Sequence, residues 1–304
     1  MPEPARRSRI IAAFAAVYLI WGSTYLAIRV AIDSVPPFLM AGVRFLIAGT
    51  LLYVWARSRG AAAPTRRNWI GALVIGLLLL AAGNGAVVWS EQRVPSGLTA
   101  LLVATVPVWT VVIEWLMGNR ERPQGRTVIG LLVGLAGVAL LVAPGEVAGG
   151  TRVDPLAALV LMGGSISWSI GSVYSHRAGL PRSPQLATAM EMLCGGAGLL
   201  LAALASGEFG AFHPELVSGR SALAVLYLII FGSLIGFSAF VWLLRVSTPA
   251  RVSTYAYVNP AVAVLLGWAL AGEALSGRTL LAAAVIVAGV VLITSAGSET
   301  THKQ

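Results

Sequence analysis

The chain contains an internal repeat that is built from apolar segments. The stretch that begins at Glu121 and the stretch that begins at Glu273, 152 residues later, share Glu, Gly, Arg and Thr at the same spacing. The match continues through the apolar residues that follow, and it divides the chain into halves at 10–144 and 155–297. Two similar, mostly apolar halves are typical of a pseudo-symmetric transport protein whose site lies between the halves.

The composition places these halves in a membrane. Hydrophobic residues make up 57% of the chain and charged residues only 11%, which is more apolar surface than a soluble domain of this length could bury. A window of roughly 20 residues, the length that crosses the hydrocarbon core, finds ten candidate spans. They cover approximately residues 10–32, 36–57, 69–91, 96–117, 125–143, 155–176, 184–206, 221–245, 249–271 and 279–297. The sequence therefore predicts an all-α polytopic membrane protein with ten transmembrane helices.

The loops between the predicted spans indicate the orientation of the chain. Of the 21 Lys and Arg residues, 15 fall on the side that holds both chain ends and five on the opposite side. The positive-inside rule therefore predicts that both termini are cytoplasmic. Because five spans make up each half, the second half must cross the bilayer in the opposite sense, and we predict an inverted 5+5 repeat. We interpret the first apolar run as a span and not as a cleaved leader, because it is long and belongs to the repeat.

The net charge of +9 follows from this orientation bias. The basic residues are scattered singly between apolar runs, which argues against a nucleic-acid partner. The expected partners are the lipid bilayer and a small-molecule substrate.

Several short motifs follow one another along the two halves. They are residues 21–29 (WGSTYLAIR), 36–37 (PP), 44–46 (RFL), 95–100 (PSGLTA), 118–123 (GNRERP), 249–253 (PARVS), 259–260 (NP) and 272–273 (GE). In order, spacing and duplication these motifs resemble an EamA-type transporter of the drug/metabolite transporter superfamily, over roughly residues 10–297. The resemblance implies ten helices in an inverted repeat, an inner (plasma) membrane location and movement of small metabolites, most often outward. It does not fix the substrate, because related members carry amino acids, nucleobases, sugars or drugs.

Two prolines occupy equivalent positions deep inside predicted spans. Pro107 lies about eleven residues into span 4, and Pro260 lies at nearly the same depth in span 9. A proline inside a helix removes one backbone hydrogen bond and frees a carbonyl, and in lipid that carbonyl needs a partner. We therefore predict matching helix breaks at the substrate site or at its hinges, with simple packing kinks as the alternative.

Polar residues near mid-span are further candidates for substrate contacts. They are Ser23, Thr24 and Tyr25 in span 1, Asn84 in span 3, Thr105 in span 4 and Asn259 in span 9. An amide in hydrocarbon is costly unless it is hydrogen-bonded. We predict that Asn259, next to Pro260, faces the cavity; for Asn84, a hydrogen bond that joins two helices is an equal alternative.

Two tryptophans, Trp21 and Trp168, are equivalent in the repeat and lie in mid-span. Aromatic walls on both sides of a cavity would suit an apolar or aromatic solute, and ordinary core packing explains the positions as well. Three glycines of span 5, Gly130, Gly134 and Gly137, share one helix face, which predicts close helix packing there.

Charged residues inside predicted spans are the last candidates. Arg44 in span 2 and Glu191 in span 7 are equivalent in the repeat, and each lies roughly 12 Å from its own membrane surface at about 1.5 Å per residue. We predict that both border the cavity and recognise opposite charges on a zwitterionic or polar solute. Glu114 in span 4 is a third candidate. The alternative is that Arg44 is held in a fixed pair by Glu191, Glu114 or a helix end.

The sequence does not favour an enzyme. Its three histidines have no metal-ligand spacing, no Lys-Ser/Thr follows the glycine-rich stretches, and no serine sits in a nucleophile elbow. We therefore predict no metal, no cofactor and no catalytic residue. A secondary transporter is the main hypothesis; a membrane receptor or scaffold and an intramembrane enzyme are the alternatives. Protons as coupling ion, passive uniport, the direction of transport and the oligomeric state stay open at this point.

Overall fold

A computed structural model describes residues 4–117, 125–142, 154–273 and 275–298. Over these ranges every regular element is a helix, and the sequence expectation of an all-helical membrane protein is confirmed to that extent. Seven helical stretches are long and apolar enough to cross a membrane. They are Ser8–Ala31, Pro37–Ser58, Arg66–Ser90, Ser96–Leu116, Pro155–Tyr174, Pro184–Ala205 and Gly219–Val246.

Fifteen α-helices are numbered here along the described chain. They are α1 Pro4–Ala31, α2 Pro37–Ser58, α3 Arg66–Gly76, α4 Gly85–Ser90, α5 Ser96–Val103, α6 Val106–Leu116, α7 Gly125–Val142, α8 Pro155–Tyr174, α9 Pro184–Ala205, α10 Glu208–Ala211, α11 Gly219–Tyr227, α12 Ser238–Val246, α13 Pro249–Val252, α14 Tyr255–Ala271 and α15 Gly277–Ser298. A short 3₁₀ turn, Pro214–Leu216, precedes α11.

The three remaining predicted spans correspond to shorter or interrupted helices. Span 5 corresponds to α7, span 9 to α13 and α14, and span 10 overlaps α15; the apolar stretches found within α14 and α15 are Val258–Ala271 and Gly277–Gly289. The count of ten crossings therefore stays a prediction, whereas seven long apolar helices are found.

Side chains from distant parts of the chain cap several helix starts. The Glu273 carboxylate accepts hydrogen bonds from the backbone N–H groups of Ser96 and Gly97, at 2.9 and 3.2 Å. The Glu208 carboxylate does the same for Leu39, at 2.8 Å. Because a helix N-terminus has unpaired N–H groups and a partial positive charge, these carboxylates anchor α5 and α2 to the opposite half of the protein.

Glycine allows helices of the two halves to approach closely. A Cβ at Gly76 of α3 would lie 2.8 Å from the backbone nitrogen of Gly195 in α9. A Cβ at Gly289 of α15 would lie 2.5 Å from the backbone nitrogen of Gly134 in α7 and 2.7 Å from the carbonyl of Gly130. The predicted packing role of the span 5 glycines is thus confirmed, and the neighbour of that face is α15.

The two halves share an irregularity that the hydropathy pattern does not show. A π-helical segment, Leu77–Asn84, lies between α3 and α4, and a second one, Leu228–Phe237, lies between α11 and α12. Both end at equivalent repeat positions, because Asn84 and Phe237 are 153 residues apart (237 − 84), as are Trp89 and Trp242 (242 − 89). A π-helix widens the turn and rotates the residues that follow, and such segments are frequent at functional sites.

The helix breaks of spans 4 and 9 do not match each other in position. In span 4 the helix is interrupted at Ala104 and Thr105, and Pro107 lies in the first turn of α6. In span 9 the interruption lies at Ser253 and Thr254, whereas α14 continues through Pro260. The prediction of matching breaks at both prolines is therefore wrong for Pro260. Proline is tolerated in the first turn, where its missing N–H is not needed, and this favours a break before Pro107.

Candidate functional site

A cavity lies between helices of the two halves. It contains about 710 Å³ of space not occupied by atoms, including its open mouth. The first half contributes Trp21, Thr24, Tyr25, Ile28, Arg44, Phe45, Leu80, Gly83, Asn84, Val87, Val103 and Val106. The second half contributes Leu161, Gly164, Ser165, Trp168, Gly232, Phe237, Tyr255 and Asn259.

One wall of this cavity is a continuous cluster of aromatic rings. Trp21 and Trp168 meet edge to face with ring centroids 5.5 Å apart. Tyr255 and Phe240 pack against Trp21 at 5.2 and 5.0 Å. The Trp21 indole N–H donates a 3.2 Å hydrogen bond to the carbonyl of Gly232, which fixes its orientation. The two tryptophans thus form a single wall in contact, and not two facing walls as the sequence suggested.

Glycines make room for the tryptophan rings. A Cβ at Gly236 would lie 2.6 Å from Nε1 of Trp21, and a Cβ at Gly83 would lie 2.9 Å from Cε3 of Trp168. Real Cβ atoms do not approach other atoms this closely, so a larger residue at either position would displace its tryptophan ring.

Asn259 and Tyr25 are buried polar residues of the cavity wall. The side-chain amide nitrogen of Asn259 donates hydrogen bonds to two backbone carbonyl oxygens, that of Tyr18 at 2.9 Å and that of Tyr255 at 3.1 Å. Asn259 therefore joins α1 to the start of α14 and also borders the cavity. Tyr25 lies on the same helix as Trp21, one turn farther along, and is almost fully buried.

Arg44 lines the cavity with a buried guanidinium that has few partners. Its side chain is 4% exposed. Its Nη2 atom lies 3.5 Å from Oδ1 of Asn84, at the outer limit of a hydrogen bond, and its guanidinium carbon lies 4.2 Å from the centre of the Phe45 ring. Within the described residues, Nε and Nη1 have no hydrogen-bond partner. The alternative of a fixed Arg44 ion pair finds no support there.

The predicted arrangement, in which Arg44 and Glu191 both border the cavity, is not found: Arg44 lines the cavity and Glu191 does not. Glu191 is 1% exposed and is absent from the cavity lining, and its charged neighbour is Arg245 at the end of α12. Arg44 interacts electrostatically with Glu91 instead. Equivalent positions in the repeat therefore do not bring Arg44 and Glu191 together, because each helix turns its charge towards a different neighbour.

Four other sequence candidates lie outside the cavity lining. The Ser23 hydroxyl is 2.6 Å from the hydroxyl of Tyr227, and the Thr105 hydroxyl donates to the Leu102 carbonyl at 2.9 Å. Pro107 and Pro260 are buried next to the cavity but do not line it. A fifth, Glu114, lies two turns beyond Pro107 on α6, half-buried and also outside the lining.

Glu91, the last residue of predicted span 3, is a buried acid that the sequence analysis did not single out. The structure shows it fully buried directly after α4, and its backbone carbonyl accepts a 2.6 Å hydrogen bond from Nη1 of Arg29. Within the described chain its two carboxylate oxygens have no hydrogen-bond partner. It interacts electrostatically with Arg29, Arg44 and Glu273. Its position at the end of an apolar run gave no signal of burial, since acids at span ends usually face water.

A bundle of apolar helices around an internal cavity that both halves line is the architecture of a membrane transport protein. The model of the EamA-like transporter family matches residues 8–143 and again residues 155–295. The chain therefore belongs to the EamA-like transporter family, within the drug/metabolite transporter type, and the resemblance seen in its motifs is confirmed.

Individual relatives agree with this assignment. The chain is 46% identical over 286 residues to the uncharacterized inner membrane transporter YedA of Escherichia coli (strain K12), covering 94% of this chain and 90% of the relative. It is 27% identical over 293 residues to the uncharacterized transporter YvbV of Bacillus subtilis (strain 168), covering 95% and 92%. A solved crystal structure with 24% sequence identity superposes with a TM-score of 0.68 over 96% of this chain and 99% of that one, which supports the fold.

Proposed function

We propose that this protein is a secondary transporter of the inner membrane that exports a small polar or amphipathic metabolite. In this proposal the halves 10–144 and 155–297 form a ten-helix inverted repeat with both termini in the cytoplasm. The observation that carries the proposal is the cavity, because both halves line it and its lining is mostly apolar and aromatic with a few polar groups, as in small-molecule sites. The relatives support transport as the activity.

Alternating access requires that the two halves move against each other around the bound solute. Two features of the described chain favour such motion. The helix interruptions at Thr105 and at Thr254 lie close to the cavity, and interruptions of this kind act as hinges. The hydroxyl of Thr254 lies 2.7 Å from that of Tyr18 on α1, so a movement at the second interruption would alter a contact between the halves.

The first experiment identifies a ligand. The purified protein is screened for thermal stabilisation by amino acids, nucleobases, sugars and organic acids, because a ligand stabilises the state that it binds. A hit is then tested for counterflow in proteoliposomes. Uptake of labelled solute into vesicles that are preloaded with the unlabelled compound supports transport. Binding without counterflow would contradict the proposal and favour a receptor or scaffold.

A matched pair of variants connects the activity to the cavity. Trp168→Leu removes a ring from the cavity wall, whereas Trp268→Leu removes a ring that is 57% exposed on the outside of the bundle. We expect counterflow to fall at least tenfold in Trp168→Leu, which corresponds to a loss of about 1.4 kcal/mol of interaction with the solute. Counterflow of Trp268→Leu should stay within about twofold of the parent, because that ring does not line the cavity. Equal activity in both variants would remove the cavity from the proposal.

A further inference from the structure

The charge of the cavity wall is unbalanced. Among the described residues that line the cavity, Arg44 is the one charged side chain, and its lining neighbours are apolar, aromatic or neutral polar groups. A guanidinium keeps its charge in proteins, and a buried charge without a counter-charge is unfavourable. The wall therefore offers a cation that no acidic side chain of the same wall neutralises.

The hydrogen-bonding capacity of Arg44 is also largely unused. A guanidinium carries five N–H donors, yet within the described chain Nε and Nη1 have no partner, and Nη2 has only the long contact to Asn84. Buried polar groups in native proteins are normally hydrogen-bonded. The unused donors of a cavity residue therefore point to an acceptor that is supplied by a ligand.

Glu91 does not remove this imbalance. It interacts electrostatically with Arg44, but it does not line the cavity, and it also interacts with Arg29 and Glu273. One carboxylate, itself outside the cavity lining, thus interacts with both Arg29 and Arg44. Arg44 itself lines the cavity, so an anion bound in the cavity would be its neighbour.

The remainder of the wall defines the other end of the ligand. Trp21, Trp168 and Tyr255 present ring surfaces, and Phe237 and Leu161 add apolar surface. Such a wall favours a flat apolar or aromatic group. No acidic side chain among the described lining residues is available to bind an ammonium group, so a zwitterion would leave its positive charge unpaired there.

We propose that the cavity binds a small organic monocarboxylate whose carboxylate contacts Arg44 and Asn84 and whose flat apolar body lies against Trp21 and Trp168. This inference rests on the proposed transport function and narrows its substrate class from polar metabolites to monoanions. A single negative charge matches the single cation of the wall, whereas a dianion would bring one charge without a counter-charge. The planar guanidinium suits the geometry of a carboxylate.

The test compares four probes of nearly equal size. These are 3-phenylpropionate, its neutral amide 3-phenylpropionamide, the zwitterion L-phenylalanine and the cation 3-phenylpropylamine. Binding to the purified full-length protein in lipid nanodiscs is measured by titration calorimetry at pH 7.5 and low salt. We expect 3-phenylpropionate to bind at least tenfold more tightly than each of the other three. Equal binding of the acid and the amide, or no binding of the acid, would overturn the proposal.

Variants of Arg44 assign the preference to one residue. In Arg44→Gln the preference for the acid over the amide should disappear, and binding of the amide that is still measurable would show that the cavity is folded. Arg44→Lys should retain a reduced preference, because it keeps the charge but not the planar donor set. Arg220→Gln, at an exposed position next to the start of α11, is the matched control and should bind all four probes as the parent does. A preference that survives in Arg44→Gln would overturn the proposal.

The outcome is separable from that of the proposed function. If another solute gives counterflow while 3-phenylpropionate does not bind, the inference about charge fails and transport stands. If 3-phenylpropionate binds with the expected dependence on Arg44 but no compound gives counterflow, transport fails and the anion site stands.

Discussion

The close approach of α8 to the helices of the first half makes a specific prediction about two neighbouring glycines. A Cβ at Gly164 would lie 2.5 Å from Cβ of Ala86 and 3.3 Å from the carbonyl oxygen of Gly83. The next residue in the chain, Gly163, has no atom within 4 Å of the same position. Gly163→Ala and Gly164→Ala are therefore a matched pair on one helix that differ in packing alone.

The expected difference in stability follows from these distances. Carbon atoms prefer separations of about 3.5–4.0 Å, so the added methyl group of Gly164→Ala is roughly 1 Å too close to Ala86. Overpacking of this kind costs about 1–3 kcal/mol. Both variants share the change in helix propensity, which favours Ala by up to about 1 kcal/mol. The free energy of unfolding of Gly164→Ala should therefore be about 1–3 kcal/mol below that of Gly163→Ala.

The assay is reversible unfolding of the two purified variants in mixed micelles, followed by tryptophan fluorescence. The same variants should separate in function, because Gly164 lines the cavity and α8 also carries Trp168. We expect weaker solute binding in Gly164→Ala and parental binding in Gly163→Ala. Equal unfolding free energies in the two variants would refute the packing of α8 against α4 on which the description of the cavity rests.

Three further predictions concern topology, the helix breaks and Glu91. In a background that lacks the native cysteine, a cysteine placed at Ser58 should react with a thiol reagent added on the cytoplasmic side, and a cysteine placed at Gly149 should react with the reagent added outside. Labelling of both cysteines from the same side would exclude the inverted repeat. Pro107→Ala should lower counterflow with normal membrane insertion, because Ala permits a continuous helix across the interruption. Pro260→Ala should have a smaller effect on counterflow, because α14 is already continuous there. Equal effects of the two substitutions would contradict the assignment of the break. Glu91→Gln should tighten binding of 3-phenylpropionate about two- to tenfold. The substitution removes a carboxylate that competes with the ligand for interaction with Arg44, worth up to about 1.4 kcal/mol. Weaker binding of 3-phenylpropionate in calorimetry would contradict this competition between Glu91 and the ligand.

Much of the architecture could be predicted from the sequence. Apolar runs of about 20 residues gave the long helices, because membrane helices must be long enough to cross the hydrocarbon core. The repeat drew attention to Trp21 and Trp168, and the structure places both in one aromatic cluster. The intramembrane Arg44 drew attention through its charge, since polar groups in lipid face the interior of the bundle.

The direction in which a side chain points was harder to predict than its depth. Ser23 and Thr24 are neighbours on α1, yet Thr24 lines the cavity and Ser23 contacts Tyr227. Successive residues of an α-helix differ by about 100° around the axis, so depth alone does not say which residue faces the cavity. The same limit explains Glu191, which is buried in α9 but lies beside Arg245 and not at the cavity.

Irregular backbone was the second obstacle. The π-helical segments at Leu77–Asn84 and Leu228–Phe237 change the helical phase of the residues that follow, and no residue type marks them in the sequence. The interruption at Ser253 and Thr254 lies six residues before Pro260, although proline is the usual signal for a break. Tertiary contacts of α1 with this region, including the hydrogen bond between Tyr18 and Thr254, are absent from any local pattern.

In the proposed transport cycle, solute crosses the membrane through the cavity between the two halves. The most direct test blocks that cavity in proteoliposomes with a thiol reagent, in a Cys194→Ala background. Thr24→Cys places the reactive thiol in the cavity wall. Leu19→Cys, also on α1, is the control, because Leu19 is 61% exposed. Counterflow of the solute found by screening should be lost after labelling of Thr24→Cys, and excess solute should slow that labelling. Labelled Leu19→Cys should keep its activity. Full counterflow through completely labelled Thr24→Cys would contradict the account.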